Sequence, residues 1–128
     1  KMDKNLLEKG LQVRSEVLGK DYVERSYKAS DDFNRPFQEL VSEYCWGAIW
    51  ANEDLPRKTR SMLNLSMLTA LNRSVELKLH IKGALTNGCT REEIRAVLMQ
   101  AAIYCGIPAG VEAFRCAREV FAELDGKK

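Results

Sequence analysis

Apolar residues recur at steps of three and four along most of the chain, and no segment alternates with period two, which predicts an all-α fold. From Asp3 to Leu18, Leu7, Leu11 and Leu18 with Val13 and Val17 keep helical spacing, and Gly19 follows as a stop. A short second helix is predicted from near Asp21. Ser30 or Asp31 can cap a third, in which Phe33, Phe37, Leu40, Val41 and Tyr44 repeat while Pro36 falls in the tolerated first turn. Gly47 and Asn52 are expected to loosen the next stretch. After Pro56 a helix is predicted to about Leu71, then one capped by Ser74 that ends at Asn87-Gly88. Thr90-Arg91-Glu92-Glu93 is a capping box leading into Ile94, Val97, Leu98, Ala101 and Ala102, with Gly106 closing that helix. Pro108 restarts a last helix carrying Val111, Phe114, Ala117, Val120, Phe121 and Leu124. The sum is a bundle of about six to seven helices, and no linker or repeat divides residues 1–128 into more than one domain.

Two helices stand apart. Between Arg60 and Leu71, Met62, Leu63, Leu65, Met67, Leu68, Ala70 and Leu71 point in almost every direction, which in water calls for burial on all sides. A domain of this size rarely encloses a helix completely, so a partner subunit is expected to cover one side. On the Ser74 to Asn87 helix, Leu77, Ile81, Ala84 and Leu85 make the core stripe, and Lys78 and Lys82 lie away from it. Glu76 and His80 flank that stripe at i and i+4, with the small Gly83 and Ala84 on the next turn.

His80 is the single histidine of the chain. A carboxylate one turn away can set an imidazole's tautomer and basicity, so the Glu76/His80 pair is a candidate for proton transfer. The same spacing also suits a solvated surface pair or a histidine packed against a neighbouring helix.

Composition removes several other functions. The net charge of +2 comes from acids and bases interleaved along the chain, with no basic block for nucleic acid and no apolar run long enough for a bilayer. No apolar signal segment opens the chain, so a cytoplasmic protein is expected. Cys45, Cys89, Cys105 and Cys116 lack close pairing, and with one histidine they form no metal cluster of familiar spacing. They read as reduced thiols, mostly small buried hydrophobes.

Five stretches, taken together and in order, resemble the carboxymuconolactone decarboxylase family. They are Trp46-Gly47-Ala48-Ile49-Trp50, Leu55-Pro56-Arg57-Lys58-Thr59-Arg60-Ser61, and Asn72-Arg73 with Glu76-Leu77-Lys78-Leu79-His80. Asn87-Gly88-Cys89-Thr90-Arg91-Glu92-Glu93-Ile94 and Tyr104-Cys105-Gly106-Ile107-Pro108-Ala109 follow. The start, Gly10-Leu11-Gln12-Val13-Arg14 with Val17-Leu18-Gly19, is similar to the 4-carboxymuconolactone decarboxylase branch as well. The related alkylhydroperoxidase D branch, whose fold the resemblance implies, keeps a Cys-x-x-Cys pair on this helix. Here Arg73 and Glu76 stand in that register, and no Asp or Glu occurs from Arg57 through Val75 to replace that branch's upstream acid. Thiol peroxidase chemistry would therefore need distant cysteines such as Cys45 and Cys105 to meet.

The resemblance implies decarboxylation of 4-carboxymuconolactone, or a related dicarboxylate lactone, to the 3-oxoadipate enol-lactone in aromatic catabolism. In such a substrate the electron pair left by CO2 flows through the ring C=C onto the lactone carbonyl. The substrate is its own electron sink, so no metal, pyridoxal or thiamine cofactor is implied. The protein then has to hold the remaining carboxylate, stabilise an oxyanion and deliver a proton to carbon. Proton delivery falls to His80, with Glu76 orienting it and raising its pKa. Arg60 is the first candidate for gripping a carboxylate and Arg73 the second, while Trp50 and Tyr104 could wall the lactone and offer N–H or O–H donors. Core packing competes for Trp50 and Tyr104, a surface position for Arg60, and Met62, Met67, Phe114 and Phe121 read as core alone. The resemblance also implies a homotrimer or homohexamer. A silent helical oligomer that binds small carboxylates, and a thiol-dependent peroxidase, are the other functions the residues allow.

Overall fold

A computed structural model describes residues 3–127, which hold seven α-helices, one π-helix and no strand. The chain divides into two compact units, residues up to Pro56 and residues from Arg57 onward.

In the first unit, α1 (Lys4–Leu18) starts on Asp3, whose carboxylate accepts the backbone N–H groups of Asn5 and Leu6, and it stops at Gly19. The second helix, α2 (Lys20–Lys28), follows directly. Asp31 caps the next turn by accepting from the N–H groups of Phe33 and Asn34, ahead of α3 (Arg35–Leu40) with Pro36 in its first turn. The expected loosening near Gly47 does not occur. Instead α3 continues without a break into a π-helix, Val41–Trp50, whose wider winding shows in the bond from the Ala51 N–H to the Trp46 carbonyl at 3.0 Å. Gly47 is needed there for close approach rather than for flexibility: a Cβ on it would lie 2.3 Å from the Leu6 carbonyl oxygen, and one on Gly10 would lie 1.7 Å from that of Ser42. Two glycines thus let α1 and the π-helix meet backbone to backbone. Trp46 and Trp50 stack at 4.8 Å between ring centroids and, with Val13 and Val17, form this unit's core. Beside it Arg14 is buried and donates to Gln38 and Ser42. Phe33, Phe37, Leu40 and Tyr44, periodic though they are, stay exposed.

The second unit contains α4 (Arg57–Ala70), α5 (Ser74–Thr86), α6 (Arg91–Cys105) and α7 (Ile107–Leu124). Their shared core is Leu65, Leu77, Ile81, Ala84, Ile94, Leu98, Ala113, Ala117 and Val120. The three-residue turn between α4 and α5 folds them back on each other, with Asn72 in the left-handed region at φ 57, where asparagine is tolerated. Position N-cap of α5 belongs to Arg73, not Ser74; the Ser74 hydroxyl instead donates to Glu112 on α7 at 2.6 Å. Thr90 and Glu93 form the predicted capping box, and Gly106 makes the α6–α7 corner at φ 111. Only Ser61, Leu65 and Thr69 of α4 are fully buried, a stripe of one residue per turn. Leu63 and Met67, expected inside, are about half exposed.

Among the described residues no helix is long and apolar enough to cross a membrane.

Candidate active site

His80 is carried by α5 on the flank that meets α4. Asn64, on α4, places its side-chain amide nitrogen 3.5 Å from the imidazole Nδ1, a long polar contact across the helix pair. One turn farther along the same pair, the Asn87 amide donates to the buried Ser61 hydroxyl at 2.9 Å, which pins the register of the two helices. The opposite side of α5 is tied to α7: Lys78 pairs with Glu119 and Lys82 with Glu123, in line with the Ser74 to Glu112 bond. Those three residues, one per turn, hold α5 in one rotation about its axis and so hold His80 toward α4.

The electrostatics differ from the sequence-based expectation. Glu76 is exposed and acts on His80 as a nearby negative charge, which by itself favours the imidazolium. Burial of the imidazole outweighs it, and the pKa falls from 6.5 to about 4. His80 is therefore neutral at pH 7. The expectation of a raised pKa fails because a carboxylate in water is screened while the ring it should charge is desolvated.

Arg60 lies on α4 one turn before Asn64, on the same face, and is half-buried. Gly83 and Ala84, on the turn of α5 after His80, are both buried. Arg73 is exposed at the N-cap, two turns from His80 with Glu76 between them. Tyr104 is not brought to His80 within this unit. It is exposed near the end of α6 and lines a separate groove of about 280 Å³ with Met62, Leu63, Ser66 and Cys105, a different face of α4 from Arg60 and Asn64. Trp50 belongs to the first unit and is buried in its stack with Trp46. The contact missed from sequence is Asn64. Its signal was an amide side chain between Leu63 and Leu65 in the interior of a helix, where asparagine has poor propensity and needs another reason to be present.

Cys89 and Cys116 are buried as expected, but Cys45 and Cys105 are exposed. Desolvation raises the pKa of Cys45, Cys89 and Cys116 above the ordinary thiol value, the reverse of what a peroxidatic cysteine needs. Among the described residues no three His, Cys, Asp or Glu side chains converge as they would around a metal ion.

The second unit thus sets its one histidine between two helices, and three of the four cysteines carry thiols shifted away from the thiolate form. The chain belongs to the carboxymuconolactone decarboxylase family, whose family model matches residues 35–119. It is similar to a 4-carboxymuconolactone decarboxylase of Acinetobacter baylyi, at 39% identity over 95% of this chain and 91% of that protein. It is also similar to the nitrosuccinic acid decarboxylase npaB of Metarhizium robertsii, at 38% identity over 98% of this chain and 88% of the relative. A shorter match, 38% over 45 residues, covers 35% of this chain and 94% of a 4-carboxymuconolactone decarboxylase of Pseudomonas putida.

Proposed function

We propose that this protein is a carboxy-lyase that decarboxylates 4-carboxymuconolactone to the 3-oxoadipate enol-lactone, with residues 1–128 acting as one domain of the carboxymuconolactone decarboxylase type. The observation that carries this reading is similarity along nearly the full chain to a 4-carboxymuconolactone decarboxylase, joined to a site whose one titratable base is His80.

The reaction needs no oxidant and no added electron sink. Loss of the ring-carbon carboxylate as CO2 leaves its bonding pair on carbon, and the pair passes through the C=C into the lactone carbonyl to give a dienolate. Protonation at the carbon alpha to that carbonyl restores the carbonyl and yields the enol-lactone. Nitrosuccinic acid, the substrate in one relative's name, likewise sets an electron-withdrawing group beside a carboxylate and keeps a second carboxylate. The shared demand is to bind a dianion and return one proton to carbon.

His80 supplies that proton. Burial keeps it neutral at pH 7, and a dicarboxylate bound beside it raises its pKa, so the imidazole takes up a proton together with the substrate. This coupling loads the acid only when there is something to protonate. Arg60 grips the carboxylate that stays, through its two-pronged guanidinium, with Arg73 at the α5 N-cap as the second cation. Glu76 keeps the imidazolium from being too costly to form.

The assembly is a homotrimer or homohexamer in the cytoplasm. Its support is the apolar surface that the described chain leaves bare: Leu63 and Met67 on α4, and Ile103, Ile107 and Val111 around the α6–α7 corner, where a groove of about 760 Å³ opens beside Phe114 and Arg118. Light scattering should give three or six chains; a stable monomer at micromolar concentration contradicts it.

The activity is tested by following CO2 release from 4-carboxymuconolactone and from nitrosuccinic acid, before and after alkylation of all accessible thiols. Turnover of the lactone that survives alkylation is expected. Loss of turnover on alkylation, or peroxide consumption, would return the thiol relay; ligand-induced stabilisation with no turnover would make the protein a carboxylate binder.

A further inference from the structure

The chain leaves two apolar surfaces of opposite shape uncovered. One is a ridge: Phe33, Phe37, Leu40 and Tyr44 follow at steps of three and four through α3 into the π-helix, so they share a face, and all four are exposed, Phe33 at 93% and Phe37 at 63%. The other is the groove of about 760 Å³ along α6 and α7, lined by Ala102, Ile107, Gly110, Val111 and Phe114. We propose that the ridge of residues 33–44 of one copy seats in the α6–α7 groove of a second copy, a head-to-tail contact between unlike surfaces. The proposal rests on the multimer read above and deepens it by naming the two surfaces that mate.

Three observations carry it. The first is shape. A Cβ on Gly110 would lie 2.4 Å from that of Ala102, so α6 and α7 touch at that point, and the space beside the contact is large enough to hold a whole small molecule. The second is area. An aromatic side chain carries roughly 150–250 Å². Covering the ridge therefore removes about 500 Å² from water, more than half of the roughly 800 Å² that each partner gives to a stable interface. The third is charge. Asp31, Asp32 and Glu39 outnumber Arg35 along the ridge. At the rim of the groove Arg115 is taken up by Glu112 and Glu119, which leaves Arg118 without an ion pair among the described residues. Ridge against ridge would bring convex faces and like acids together, and groove against groove would bring two Arg118 side chains together; ridge in groove satisfies both shape and charge. Such a contact uses a different surface on each copy, so every chain both offers and receives, and the assembly closes as a ring rather than as an isolated pair.

The test is to break each surface separately and then mix the two variants. Phe37→Glu spoils the ridge and Val111→Glu the groove; both residues are exposed, so both variants should keep the circular dichroism of the wild type. In sedimentation the wild type should be a multimer and each variant alone should lose mass. An equimolar mixture should weigh more than either variant by itself, because the Phe37→Glu chain keeps its groove and the Val111→Glu chain keeps its ridge. A multimeric wild type whose Phe37→Glu or Val111→Glu variant retains the full mass overturns the proposal, as it would mean that like surfaces pair or that the ridge serves another partner. So does a mixture that gains nothing over two dissociated variants. A monomeric wild type instead removes the multimer reading on which the proposal stands, so the two failures are told apart by the first measurement.

Discussion

Each unit contains a pair of helices in close contact, and the two pairs are built for opposite purposes. In the first, α1 and the π-helix touch through Gly10 and Gly47, and the backbone carbonyls of Ser42 and Leu6 sit where side chains would otherwise be. In the second, α4 and α5 meet through polar side chains, Ser61 with Asn87 and Asn64 with His80. Backbone contact leaves no tolerance and no chemistry. Side-chain contact leaves a titratable group between the helices.

That contrast predicts where substitutions will hurt stability and where they will hurt activity. The largest structural effect belongs to the first pair. Gly10→Ala places a methyl carbon 1.7 Å from the Ser42 carbonyl, a clash that only separation of the helices relieves, so the loss should be about 3 kcal/mol or more in denaturant unfolding. A loss under about 1 kcal/mol would mean that the glycine contact is not what joins α1 to the π-helix.

The second pair should show itself through pH. His80 takes up a proton near pH 6.5 when unfolded and near pH 4 when folded, so between those values the unfolded chain binds more protons. Its contribution to stability is complete above pH 6.5 and is lost as pH falls toward 4, by at most about 3 kcal/mol. The stabilisation from the Glu112 carboxylate, held down to about 2 chiefly by its bond with Arg115, is lost as pH falls below 4.5, so it overlaps the acid end of this window and the comparison with His80→Asn separates the two. Chemical unfolding of the wild type and of His80→Asn at pH 7, 6, 5 and 4 should show a slope in the first that is absent from the second. Parallel profiles would show that the imidazole is not desolvated.

A smaller effect is expected at the exposed end of the same site. Glu76→Gln removes the charge that opposes the burial of His80, so the pKa should move below about 4 and turnover should fall a few-fold, less than for loss of the imidazole. An unchanged His80 titration would show that Glu76 is only a solvated surface charge.

Much of this was legible in the residues because it depends on local rules. The cap at Thr90, the stop at Gly19, the corner at Gly106 and the core stripe of α5 each follow from a side chain or glycine acting on its own turn of helix. The family and the prominence of His80 were legible for a different reason, the order of short motifs along the chain. The rest depended on long-range contact. Gly47 looked like a break because its role is to admit the Leu6 carbonyl from another helix. Ser74 looked like a cap because Glu112, which binds it, lies 38 residues away. The sign of the His80 shift turned on burial, which the spacing of Glu76 and His80 does not contain. Periodic apolar residues on α3 and the π-helix likewise gave the face but not what covers it, since Phe37, Leu40 and Tyr44 remain exposed.

The central claim is that His80 returns a proton to carbon after CO2 is lost. The most direct measurement is turnover of 4-carboxymuconolactone by His80→Asn beside the wild type, with product formation and KM followed at pH 7. Asparagine keeps similar size and a hydrogen bond but cannot carry the proton, so kcat should fall about 100-fold or more while KM changes little. Wild-type turnover in a folded His80→Asn protein would contradict the account and leave His80 as a residue of packing.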